Sequence, residues 1–142
     1  MKSARRRSRE FALQGLYAWL LAGRPASDIA AEFVTVKGFD HADQAYFSFV
    51  LKGAIEQQRV LEEALAPCLD RRVDELSPVE HGILLLGAFE MKNLPDVPYR
   101  VVINEAVELA KAFGGTDGHK FVNGVLDKLA RLVRSNEARA NA

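Results

Sequence analysis

Five cationic side chains, Lys2, Arg5, Arg6, Arg7 and Arg9, stand ahead of the first acid, Glu10. Arginine forks match the spacing of phosphate oxygens, so the chemistry this cluster suits is anion recognition. The chain holds 19 basic and 19 acidic residues, so with five positive charges at its start the rest carries a net charge of −5. A basic arm on a mildly acidic body points to a polyanion at one end. The arm also precedes an apolar helical pattern, where positive charge opposes the helix macrodipole. That implies a reason for the arginines outside folding; a solvated, frayed terminus is the plain alternative.

Bond-making chemistry finds no such cluster. His41, His81 and His119 are isolated and lack metal-ligand spacing with Cys68 or with acids. There is no HExxH helix and no GxSxG elbow. The glycines of Gly114-Gly115-Thr116-Asp117-Gly118 are followed by no GK[ST] and preceded by no strand, so they are not a phosphate loop. His119 beside Lys120 at a helix start suits an anion but has no catalytic partner. The expectation is a protein that is not an enzyme and needs no cofactor or metal.

The elements that must position these residues are helical. From Asp96 to Leu132 the pattern reads as two helices around a glycine turn. Asp96-Val97-Pro98 stops what precedes. Val102, Ala106, Leu109, Ala110 and Phe113 then share one face, and Gly114-Gly115 ends the helix, with a left-handed cap expected there. Thr116 or Asp117 is the expected cap of the next helix, whose stripe is Val122, Val125, Leu126, Leu129 and Val133. Asp117, Phe121, Gly124 and Lys128 line the edge of that stripe. The strip reads either as a contact surface or as an N-cap, a marginal core Phe and a helix-packing glycine.

Upstream, Ala12, Leu16, Trp19 and Leu20 make an amphipathic face, broken at Gly23-Arg24-Pro25. A short helix with Ile29, Phe33 and Val36 follows, ended by Gly38. Asp40 is the expected cap of one long helix carrying Tyr46, Phe49, Val50, Gly53, Ala54, Gln57, Leu61, Ala64 and Leu65 on its core face. Arg71, Arg72, Asp74 and Glu75 read as a solvated polar connection. Ser77-Pro78-Val79-Glu80 is a capping box opening a helix apolar on nearly every side, suited to the centre of a domain. No segment keeps the strand period. The reading is all-α, six to seven helices, in a single domain over 1–142 with a basic arm 1–10 and a frayed tail 135–142.

The composition, 49% apolar and 27% charged, is that of a globular domain. One cysteine allows no internal disulfide and fits a reducing, cytoplasmic setting. No run is long enough for a membrane span. The basic start and apolar run resemble an export signal with twin arginines, but Glu10 and Gln14 interrupt the run and no clean cleavage site follows. A membrane-surface helix is disfavoured because the basic residues cluster at one end.

These residues also carry a family resemblance. Arg5-Arg6-Arg7-Ser8-Arg9-Glu10 followed by Ala12-Leu13-Gln14-Gly15-Leu16-Tyr17 resembles the N-terminus of the bacterial NusB antitermination family. Pro98-Tyr99-Arg100-Val101-Val102-Ile103-Asn104-Glu105-Ala106-Val107-Glu108-Leu109-Ala110-Lys111 and Lys120-Phe121-Val122-Asn123-Gly124-Val125-Leu126-Asp127 resemble its more specific C-terminal half. The resemblance implies two packed small helical bundles and no catalysis. It implies binding of boxA in nascent ribosomal RNA with the ribosomal protein NusE, within an antitermination complex on RNA polymerase. By that likeness Arg5, Arg6, Arg7, Arg9, Asp117, Lys120 and Phe121 face RNA, and Tyr17 and Glu80 lie at the RNA and NusE surfaces. Asp117 would repel phosphate, so its expected use is accepting from a base edge. Two departures stand out: Leu85 where the family often has arginine, and Phe89 where tyrosine is frequent. Three alternatives stay open: a protein-only interaction module, the RNA-binding module of a ribosomal RNA cytosine methyltransferase, and a homodimer that hides the RNA surface.

Overall fold

In the structure, a computed structural model describing residues 2–140, the chain folds as α1 (Ala4–Ala22), α2 (Ala26–Phe33), α3 (Gln44–Glu56), α4 (Gln58–Leu65), α5 (Pro78–Asn93), α6 (Tyr99–Phe113), α7 (Gly118–Val133) and α8 (Ser135–Ala140). Single 3-10 turns lie at Phe39–His41, Ala66–Cys68 and Val73–Glu75, and there is no strand among the described residues. One bundle is α1, α2 and α3; the other is α4, α5, α6 and α7. Helix α5 belongs to both, packing on α1 and α3 as well as on α4, α6 and α7. Its residues Gly82 to Met91 are all buried, as its uniform apolarity requires.

Local chemistry sets the helix ends. Ser3 caps α1, its Oγ accepting from the Arg6 amide, and Gly23 ends it at φ 66°, a left-handed position that favours glycine. Helix α3 is capped by Asp43, not the expected Asp40, through an Oδ1 bond from the Tyr46 amide. The expected long helix divides at Gln57, whose side-chain amide exchanges two hydrogen bonds with Asn93 on α5 (3.2 and 3.0 Å). That tertiary pair lies outside the reach of a helical-period argument. Phe49, expected in the core, is half exposed and leans its edge on Phe89.

Two further expectations are corrected. The Gly114-Gly115 turn has no left-handed cap; the absent side chain at Gly114 instead leaves room for the Ala110 carbonyl, which would lie 2.7 Å from a Cβ there. The tail expected to fray from 135 forms α8, while Asn141 and Ala142 lie outside the described residues. Buried Arg134 donates to the carbonyls of Met91 (2.7 Å), Leu94 (2.9 Å) and Val97 (3.0 Å), capping the end of α5. Glu137 accepts from the Tyr99 amide at the start of α6, which holds its carboxyl below the usual range.

The bundles are joined by a buried polar cluster. Arg9 Nε and Nη2 donate to the two Glu90 oxygens (3.0 and 2.9 Å), Nη1 reaches Glu105 (3.3 Å) and Nη2 reaches the Tyr46 hydroxyl (3.2 Å). Tyr46 in turn donates to Glu90. The carboxylates hold the Arg9 charge in place against burial, and burial beside Glu90 pushes the Tyr46 phenol well up, so it stays a donor.

Two substitutions probe this packing. Glu90→Ala leaves a buried guanidinium without its main partner and is expected to cost about 3–5 kcal/mol, read from the urea midpoint. Gly53→Ala places a Cβ 2.2 Å from the Phe89 ring and is expected to cost about 1–3 kcal/mol. Gly124→Ala, which meets nothing within 4 Å, is expected to be neutral or stabilising.

Candidate nucleic-acid interface

The arm is the first turns of α1, and its four arginines have four different environments. Arg5 is exposed and lies 4.4 Å above the Tyr46 ring. Arg6 chelates Glu105 on α6, with Nε at 3.1 and 3.2 Å and Nη2 at 2.7 Å, while 42% of its side chain stays exposed. The hydrogen bond to Glu105 raises the Arg6 pKa, so the charge is permanent. Arg7 has no side-chain partner among the described residues and is half-buried. Arg9 is 3% exposed and spent on Glu90, Glu105 and Tyr46. Lys2 pairs with Glu10 at 2.8 Å. Lys2, Arg6, Glu10, Glu105, Glu108 and Ala112 line a shallow cleft between α1 and α6.

The second group sits at the start of α7. Asp117 precedes the helix without a side-chain capping bond, contrary to the expected cap, and pairs with Lys120 at 3.5 Å; both are exposed. Phe121 is half-buried, packed on the core, with the Arg71 guanidinium 4.2 Å from its ring centroid. Gly124 faces open space, so the helix-packing alternative for it does not hold. Asp117, Phe121, Gly124 and Lys128 therefore form an accessible edge.

Tyr17 and Glu80 lie between these groups. Tyr17 is exposed and lines a groove with Leu13, Gln14, Val79 and Phe113. Phe113, expected in the core, is 40% exposed here. Ser77 caps α5 by accepting from the Glu80 amide (3.2 Å), but the reciprocal half of the capping box is absent. The Glu80 carboxylate turns to α7 instead, where a Cβ on Gly118 would stand 3.0 Å from its Oε2. Helix α6 thus passes the arm at Glu105 and Glu108, the groove at Phe113, and leads into the Asp117–Phe121 strip.

Sequence reasoning missed Glu90, Glu105, Phe113 and Arg71 as parts of this surface or its support. Glu90 carried a signal: a lone acid inside an otherwise apolar helix needs a buried cation. Among the described residues no group of three or more His, Cys, Asp or Glu is placed to hold a metal. His81 bonds Glu62 at 2.6 Å between α4 and α5, and His41 is exposed. No described helix is long and apolar enough to cross a membrane.

Comparison with known proteins places this geometry. The model of the NusB family matches residues 6–131. The transcription antitermination protein NusB of Paraburkholderia xenovorans (strain LB400) is 59% identical over 140 residues, 99% of this chain and 97% of that protein. The T. maritima NusB structure superposes with a TM-score of 0.83 at 25% identity, covering 99% of both chains. A crystal structure of the antitermination factors NusB and NusE in complex with dsRNA matches with a TM-score of 0.79 at 26% identity, over 89% of this chain and 96% of that one. With a family match over most of its length and a relative of this identity, the chain belongs to the NusB family.

Proposed function

We propose that this protein is a non-catalytic antitermination factor of the cytoplasm. It binds a single-stranded boxA-type RNA together with NusE and helps seed an antitermination complex on RNA polymerase. The observation that carries the reading of RNA and NusE binding is the likeness to a NusB solved with NusE and dsRNA; the single-stranded form is this reading's own, from a partly exposed ring on which only an unpaired base can stack.

The physical arrangement supports a division of labour. Single-stranded RNA is held by charge along its backbone and by stacking of its bases on aromatic rings. Arg5, Arg6 and Arg7 supply charge at one end, and Lys120 at the other. Phe121 supplies a ring and Asp117 an acceptor for a base edge. Arg9 belongs to the support of the arm and not to its contact face, because its guanidinium has no open side. Tyr17 and Glu80, with the apolar groove beside them, are the NusE-facing residues.

The test is fluorescence anisotropy of a labelled boxA-like RNA against a scrambled RNA, with and without purified NusE. A preference for boxA that sharpens with NusE is expected. Equal binding to both RNAs, unchanged by NusE, points to a protein-only interaction module instead.

In the same assay, the Arg5→Ala, Arg7→Ala double variant is expected to flatten the log–log salt dependence by about 0.7 for each phosphate no longer neutralised. Phe121→Ala is expected to lose about 1–3 kcal/mol of RNA affinity in the folded protein, beside a lower melting temperature from the part of the ring that packs on the core. A fall in melting temperature with normal RNA binding by the folded fraction makes the ring a core residue only.

A further inference from the structure

Phe121 is half-buried against the core, so a base can stack only on the ring face left to solvent. That available face is occupied. The Arg71 guanidinium, from the polar loop between α4 and α5, lies 4.2 Å from the ring centroid. A base cannot stack there while the guanidinium stays.

The guanidinium is held only lightly. Its charged partner is its own neighbour Asp70, with Nε–Oδ1 at 2.7 Å and Nη2–Oδ2 at 3.3 Å, and 40% and 66% of the two side chains are exposed. Exposed ion pairs and exposed cation–π contacts each contribute little in water. An arriving strand offers both things needed for an exchange. A base can replace the guanidinium on the ring, and a phosphate can replace Asp70 as its partner through charge-assisted bonds.

Charge around the strip makes the second half of that exchange useful. Asp117, Asp70, Glu75 and Glu80 all lie near the start of α7 or the loop facing it, and Lys120 is already paired to Asp117. Glu75 is paired by Arg72, so a phosphate entering there meets acids that already hold cations, with Glu80 in no ion pair among the described residues. Arg71, with Lys128 nearby, is the cation placed to offset it.

We propose that Arg71 is an RNA-contacting residue that holds the place of a base on Phe121 in the free protein and passes to a backbone phosphate when a base takes the ring. This rests on the reading of the strip as an RNA surface.

The experiment measures binding of a labelled single-stranded boxA-like RNA over a salt series. It compares the unaltered chain with Arg71→Ala and Arg71→Lys, with thermal melts of each. The expectation is weaker binding by Arg71→Ala and a salt slope shallower by about 0.7. Arg71→Lys keeps the charge, so its slope is expected to match that of the unaltered chain. An unchanged affinity and slope in Arg71→Ala, while the unaltered chain still prefers boxA, overturns the role of Arg71 and leaves the RNA surface standing. Tighter binding by Arg71→Ala also overturns it, since the guanidinium would then only obstruct the ring. Failure of the unaltered chain to distinguish boxA from scrambled RNA overturns the strip and Arg71 together.

Discussion

The Arg9 guanidinium is the point on which the two bundles turn. A charge this deeply buried is tolerable only when every donor has an acceptor. Its acceptors come from α3 (Tyr46), α5 (Glu90) and α6 (Glu105), while Arg9 itself is on α1. No single pair of helices can satisfy it. The four must meet in one arrangement, so the cluster specifies how the bundles sit as well as contributing to their cohesion. Among the described residues no buried side-chain nitrogen or oxygen lacks a partner, so the network is closed.

Helix α5 makes the closure workable. Small residues let neighbours approach its axis: Leu13 from α1 at Gly82 and Leu126 from α7 at Gly87. On the α3 side the small residue is Gly53, into which α5 presses Phe89. Phe89, fully buried, brings no hydroxyl that would need a partner there, and Leu85 is fully buried where an arginine would need acceptors. The end of α5 is closed by Arg134, which ends α7, and the start of α6 by Glu137 of α8, so the junction of the last two helices locks the turn that aims α6 at the arm. From that turn, α6 carries Glu105 to Arg6 and Arg9, then Phe113 to Tyr17.

Much of this was legible in the residues. Helical spacing locates the core faces of α1, α6 and α7, apolarity on nearly every side marks α5 as central, and Ser77-Pro78 and Gly23 mark ends that the structure keeps. What was not legible depends on partners distant in the chain. The Gln57–Asn93 amide pair splits a continuous stripe, and Arg134 with Glu137 orders a polar tail whose composition reads as frayed. Phe113 and Phe49 follow the apolar period, yet no neighbour covers them fully, because period reports a face and not what packs against it. The arm shows the same limit. Its charge against the helix dipole pointed to a reason outside folding, but Arg9 has a reason inside it, and Arg6 has one of each kind.

That division within the arm follows from helical geometry. Arg6 and Arg9 are three residues apart, so they share a face and meet the same acid on α6, Glu105. Arg5 is one position before Arg6 and therefore turns away from Glu105, resting on Tyr46 with its charge uncompensated by any ion pair among the described residues. Arg7, one position after Arg6, turns away from Glu105 on the other side and keeps its charge free. A run of consecutive arginines on a helix thus cannot all serve one purpose. Some meet acids on the body that receive them, and the rest, even where they lie on it as Arg5 lies on Tyr46, keep a charge that no acid offsets. The acids Glu90, Glu105 and Glu108 that make the body negative are in part those receivers. Charge asymmetry between arm and body is therefore one feature seen from two sides: it anchors the helix by its inner arginines and leaves the outer ones with an unspent charge for a polyanion.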